Sequence, residues 1–157
     1  VGAADRSAGS VEGAHRVAFL LARHGAITNL RMRDALASIG YSPRQGSTLL
    51  QLVDEGGRMG QQALCESLGI DPSVLVGILN DLESGGLVER RRDPVDRRRH
   101  IVAMTAKGER AASDVRDALA GVERDLFADL DAAEVTTLRA LLTRVRTRAD
   151  DPACTED

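Results

Sequence analysis

Residues 61–104 read QQALCESLGIDPSVLVGILNDLESGGLVERRRDPVDRRRHIVAM, and this stretch decides the fold. It opens with a short helical segment from about Gln61 to Leu68, which Gly69 is placed to cap. Asp71 is a good N-cap for a second helix, Pro72 suits its first position, and Gly85-Gly86 ends it. Gly69-Ile70-Asp71 is all that separates the two helices, matching the glycine-containing turn of about 3–4 residues that joins a helix-turn-helix. Leu87-Val88-Glu89-Arg90 and His100-Ile101-Val102-Ala103-Met104 then read as strands. The charged segment between them contains Pro and Asp, so the pair predicts a β-hairpin, placed as a wing beside the two helices.

The flanks extend the pattern. On the N-terminal side, Ser42-Pro43-Arg44-Gln45 has the spacing of a capping box with proline at the first helical position. Leu49, Leu50, Leu52 and Val53 supply that helix with an apolar stripe, and Gly56-Gly57 stops it. Further upstream, Val17, Leu20, Leu21, His24 and Thr28 recur at helical spacing between Val11 and Ser38, where Gly25 predicts a bend or two shorter pieces. On the C-terminal side, Thr105 caps a long helix in which Ala111, Val115, Leu119, Val122, Leu126 and Leu130 form a coiled-coil-like seam. Asp131 and Glu134 start a last helix lined by Val135, Leu138, Leu141, Leu142 and Val145.

The expected architecture is mainly α with a small β-hairpin wing. It is a single domain over 1–157, with the winged helix-turn-helix at 42–104. Dimerisation helices are expected at 11–40 and 105–149, with loose ends at 1–10 and 150–157. The 157 residues suffice for one domain, which at this size buries roughly 68–70% of its unfolded surface. Aromatic residues make up 2%, so the core must be aliphatic, which favours packed helices over a β-sandwich. Cys65 and Cys154 are too far apart in sequence to suggest a metal site or a disulfide framework. The first residues, VGAADRSAGS, lack the layout of a signal peptide, and no apolar run approaches the ~18–20 residues of a membrane span. A reducing cytoplasm, and no membrane partner, is the expectation.

Net charge is −3, so binding to a polyanion needs a local basic patch. Residues 90–99 supply one, with six Arg against two Asp. A solvated face or a disordered tail is the ordinary explanation of such a run, but flanking apolar strands argue against disorder. Arg on a thin hairpin can reach the narrow minor groove of DNA or hold phosphates. The second helix of the pair complements it. Leu75, Ile78, Leu79 and Leu82 fall on one face, while Ser73, Val76, Gly77 and Asn80 make the other nearly uncharged. A solvated face normally carries Lys and Glu, whereas small groups suit entry into the major groove. There Asn can pair bidentately with adenine, Ser can meet either kind of base edge, and Val can touch a thymine methyl. Gly77 would permit close approach to DNA; the alternative is an ordinary buried helix with glycine at a packing contact.

These residues, and above all LESGGLVERRRDPVDRRRHIVAMTAKG at 82–108, resemble the multiple-antibiotic-resistance regulator (MarR) family of bacterial transcription factors. The resemblance covers most of the chain. It implies double-stranded DNA as partner and a homodimer joined by the N- and C-terminal helices, often with a small-ligand or redox switch. It also assigns Asp96 and Arg98 to an Asp-x-Arg wing motif, with Arg98 entering the minor groove and Asp96 holding it. Arg97 and Arg99 then meet phosphates or solvent. The sequence departs from the family where the recognition helix often reads Ser-Thr-Val-Thr-Arg: here Ser73-Val74-Leu75-Val76-Gly77 lacks two hydroxyls and a guanidinium. Residues 11–30 hold neither Cys nor Tyr, which argues against the family's peroxide-sensing route.

His24 has two readings, a packed or interface side chain and a ligand-binding one. Cys65 reads as a small apolar filler. No phosphate-cradling loop, nucleophile elbow or zinc motif is present, so neither an enzyme nor a cofactor is expected. The leading function is a sequence-specific DNA-binding regulator, a repressor on a pseudo-palindromic operator. The alternative is a winged-helix module that binds protein or RNA without specific DNA readout.

Overall fold

The computed structural model describes residues 8–94, 96 and 99–145, with the side chains of the first helix described from Arg16 onward. In chain order the elements are α1 (Ala8–Ser38), α2 (Pro43–Asp54), β1 (Arg58–Gly60), α3 (Gln61–Leu68), α4 (Pro72–Ser84), β2 (Val88–Arg92), β3 (His100–Met104), α5 (Ala106–Leu126) and α6 (Ala132–Leu142). The fold is mainly helical with a small antiparallel sheet. Two compact units divide it, Val1–Val122 and Glu123–Asp157.

Local chemistry sets the element ends. Ser42 caps α2 by accepting from the Gln45 N–H at 3.2 Å, and the Gln45 side chain accepts in return from the Ser42 N–H at 2.9 Å. Gly69 ends α3 in the left-handed region, φ 63°, where a residue with a Cβ is strained. The axes of α3 and α4 turn through 112°, within the roughly 90–120° of a helix-turn-helix. Asp131 caps α6 with a full capping box.

The sheet order is β1-β3-β2. β2 and β3 form the expected hairpin, pairing from Val88↔Met104 to Arg92↔His100. β1 is an addition to the expected wing: Arg58↔Ala103, Met59↔Val102 and Gly60↔Ile101 give β3 a partner on its second edge. Those backbone groups would otherwise need water or another chain.

The core of the first unit draws on every layer. Leu36 of α1, Leu49 and Leu52 of α2, Leu64 and Cys65 of α3, and Leu75, Ile78, Leu79 and Leu82 of α4 are all buried. Leu87, Val88 and Val102 close it from the sheet side, and Ala111, Ala112 and Val115 from α5. Each fully buried Leu or Val contributes about 1.5–3 kcal/mol relative to exposure. The fit is closest at Gly108, where an added Cβ would overlap the Leu87 carbonyl oxygen and lie 2.6 Å from Met104 Cγ.

Two expectations about the helices are corrected. α1 runs unbroken through Gly25, so the glycine neither ends nor divides it. Its one unfavourable residue does not outweigh the continuous hydrogen-bonded helix around it. The expected seam is neither one helix nor uniform: Ala111 and Val115 of α5 are buried in the chain's own core, whereas Leu130 lies beyond the end of α5 at Leu126 and is exposed. Periodicity identifies an apolar face but not the molecule that covers it.

Candidate nucleic-acid interface

α4 presents its two faces as the sequence implies. Leu75, Ile78, Leu79 and Leu82 are buried, and Ser73, Val76, Gly77 and Asn80 are exposed. Around a Cβ built at Gly77 there is nothing within 4 Å, so no packing contact in the described chain explains this glycine. At the N-terminus of α4, Asp71 accepts from the Ser73 N–H at 2.8 Å and from the Ser73 hydroxyl at 2.6 Å. The Ser73 hydroxyl and its amide both hold the Asp71 carboxyl below its ordinary value. With its proton committed to Asp71, the Ser73 oxygen faces outward as an acceptor.

The wing carries its arginines in different ways. Arg91 pairs with Glu89, Nη2 to Oε2 at 2.5 Å, on the exposed side of β2. Arg92 is exposed. At the tip, the Arg99 N–H donates to the Asp96 carbonyl at 2.9 Å, and the Asp93 N–H donates to the Arg99 carbonyl at 2.9 Å. Asp96 also pairs through its carboxylate with Arg99 Nε at 3.4 Å. Arg97 and Arg98, named from sequence as wing residues, lie outside the described residues. The orienting contact expected between Asp96 and Arg98 therefore remains an expectation.

Arg90, counted from sequence only as part of the basic patch, makes contacts with α4 that sequence reasoning missed. From β2 it donates through Nε and Nη2 to Glu83 Oε2 at 3.0 and 2.6 Å, and through Nη2 to Asn80 Oδ1 at 2.7 Å. Its side-chain hydrogen bond is the main reason the Glu83 carboxyl sits below its ordinary value. The available signal was Glu83 in the last turn of α4 and Arg90 just beyond the Gly85-Gly86 turn, opposite charges that a reversal of the chain brings together. The patch on residues 90–99 is consequently less bare than its formal charge, since Glu83 and Glu89 each take one arginine.

His24 is exposed on α1. It lines neither of two clefts that the structure contains. One, of about 810 Å³, lies against α3 and the α3–α4 turn, with Cys65, Glu66, Ile70 and His100 in its wall. The other, of about 400 Å³, is formed by Glu123, Phe127, Val135, Leu138, Arg139, Leu142 and Thr143. Cys65 is buried, as a filler should be, and its thiol donates to the Ile70 carbonyl at 2.8 Å. No group of three or more metal-ligating side chains occurs among the described residues. No single described helix is long and apolar enough to cross a membrane.

The chain is similar to known transcriptional regulators. Residues 39–99 match the model of the MarR family. A protein of Thauera aromatica, named as a transcriptional regulatory protein for the hcr operon, is 35% identical over 67% of this chain and 64% of its own length. The chain thus spans less than two thirds of that relative. The transcriptional regulator HosA of Escherichia coli O111:H- is 34% identical over 55% of this chain and 71% of its own. Among solved structures, a MarR-family transcriptional regulator from Rhodococcus sp. RHA1 has a TM-score of 0.71 and 28% identity, covering 88% of this chain and 94% of that one. CouR from Rhodococcus jostii RHA1, solved bound to p-coumaroyl-CoA, has a TM-score of 0.68 and 30% identity, covering 81% and 89%. The chain belongs to the MarR family of transcriptional regulators.

Proposed function

We propose that the protein is a homodimeric, sequence-specific DNA-binding repressor. In this reading α4 enters the major groove and presents Ser73, Val76, Gly77 and Asn80 to the base edges. The wing lies along the adjacent minor groove, with Arg98 inserted and Asp96 orienting it. Arg97 and Arg99 meet phosphates. A two-fold axis then sets two α4 helices on half-sites of a pseudo-palindromic operator, about 10 bp apart centre to centre.

The observation that carries the proposal is the exposed, nearly uncharged face of α4 formed by Ser73, Val76, Gly77 and Asn80, beside an arginine-bearing hairpin. A helix face left to water has no need of this composition. A small-molecule effector is proposed as well, on the likeness to CouR and its acyl-CoA ligand. It must bind one arrangement of the dimer better than the other, or it shifts nothing.

Selection of bound sites from random DNA tests the reading, followed by affinity measurements across a salt series. The expected result is an inverted repeat and an affinity that falls steeply with salt. Recovery of no sequence preference would favour a protein- or RNA-binding module. Titration of the DNA complex with p-coumaroyl-CoA and with free phenolic acids then tests the effector, release of DNA being the expected response.

A further inference from the structure

Arg90 fixes the orientation of a side chain on the reading face. A guanidinium carries donors and no acceptor. The Asn80 atom 2.7 Å from Arg90 Nη2 must therefore be its oxygen, whichever way the amide is drawn. Glu83 holds the same guanidinium through Nε and Nη2, and also accepts from the Arg90 backbone N–H at 3.2 Å. Glu83 lies one turn beyond Asn80 on α4, so one planar fork reaches both. One lone pair of the Asn80 oxygen is taken by a charged donor, which leaves the NH2 as the stronger end to meet a ligand on the exposed face.

This matters because the two purines ask for different ends of an amide. Adenine needs both, an oxygen to accept from N6–H and a nitrogen to donate to N7. Guanine offers two acceptors, O6 and N7, and asks only for donors. We infer that Arg90 is a specificity-determining residue: by turning the Asn80 oxygen toward itself and drawing on one of its two lone pairs, it weakens that oxygen as an acceptor and strengthens the NH2 as a donor, so the base facing Asn80 is read as guanine in preference to adenine. The inference rests on the proposed reading of DNA by α4. It differs from the general expectation for an exposed Asn, which is adenine.

The test measures binding to the selected operator with guanine or adenine at each purine position of the half-site. The parent, Arg90→Met, Arg90→Lys and Asn80→Ala are compared. The parent should prefer guanine at one position by roughly tenfold or more. Arg90→Met should move that ratio toward adenine by a similar factor, because the freed amide can turn. Arg90→Lys keeps a cation against Glu83, which guards against misfolding, but an ammonium lacks the fork, and the same shift is expected. Asn80→Ala should bring the ratio close to one. If the Arg90 variants weaken guanine and adenine sites equally, or if the preference survives Asn80→Ala, the inference is overturned. An Asn80-dependent preference for adenine in the parent would overturn it too while leaving DNA reading by α4 intact. A parent with no sequence preference at all would remove both.

Discussion

Gly77 sits on the exposed face of α4 and Glu83 in its last turn. Glycine inside a helix costs about 0.5–1 kcal/mol relative to alanine, and nothing in the described chain approaches within 4 Å of a Cβ at Gly77. Gly77→Ala should therefore raise the unfolding free energy by about 0.5–1 kcal/mol. Operator affinity should fall, because in the proposed complex the added methyl would stand where the helix backbone nears the bases. Denaturant titration and DNA binding on the same preparation check the pair; a more stable variant with unchanged affinity would remove close approach as the reason for the glycine. Glu83 makes a prediction in pH. Its carboxyl, ordinarily at 4.5, is lowered, first by the Arg90 side-chain hydrogen bond and then by the Arg90 backbone N–H. A depressed carboxyl stabilises the fold fully above its unfolded pKa and loses that contribution as pH falls through its folded pKa. The stability gap between the parent and Glu83→Gln should thus be constant near neutrality and close as the pH drops below about 4. Unfolding midpoints across that range measure it, and a gap that widened on acidification would contradict the assignment.

Elements meet at the turn between α4 and β2, where α5 begins. Thr105 Oγ1 donates to the Gly86 carbonyl at 2.7 Å, Lys107 Nζ donates to the Gly85 carbonyl at 2.7 Å, and Gly108 passes against Leu87. Gly108→Ala improves helix propensity yet forces a methyl into the Leu87 carbonyl. Overpacking of this kind costs about 1–3 kcal/mol, so a lowered Tm is expected, opposite in sign to Gly77→Ala. The wing yields a second comparison. Arg98→Ala should weaken operator binding by about 1–3 kcal/mol and alter the preference for A·T-rich flanks. Asp96→Ala removes a negative charge near DNA, so electrostatics alone predicts tighter binding. An orienting role for Asp96 predicts weaker binding, and affinities of both variants across a salt series decide between them. These elements differ in how openly the sequence declares them. The Ser42 and Asp71 caps and the Gly69 turn depend on neighbours a few residues away, so they were legible. So was the split of α4 into buried and exposed faces. β1 was not, because three residues with a single half-buried side chain carry no periodicity and exist as a strand through their pairing with β3. The Arg90–Asn80 contact was hidden for the same reason, being made by the return of β2 over α4.

For the whole molecule, the decisive feature is apolar surface that one chain leaves uncovered. On α1, Val17 is 69% and Phe19 66% exposed, and Leu20, Leu21 and Leu30 are also exposed. On the C-terminal side, Leu141, Leu142 and Val145 are exposed, and no residue of α6 is buried. Exposed apolar side chains that cluster on one element commonly mark interaction surfaces. Ala111 and Val115, counted from sequence with the dimer seam, serve the chain's own core, so the association surface must be sought on α1 and on the C-terminal residues. A second copy of the chain is the expected partner, since each copy brings the same faces and a two-fold axis can join them. In the proposed mode of binding one α4 would read one half-site, and two joined copies would add their contacts at an effective concentration fixed by the protein, which can raise affinity on the order of 10²–10⁴-fold. Phe19→Glu with Leu142→Glu should therefore leave the core of the first unit folded, by far-ultraviolet circular dichroism, while sedimentation moves to the monomer. Binding to a full operator should fall toward the affinity of a single half-site. The parent should sediment as a dimer at micromolar concentration. A parent that sedimented as a folded monomer there, yet still bound the full operator far more tightly than a half-site, would show that DNA rather than these helices joins the two copies.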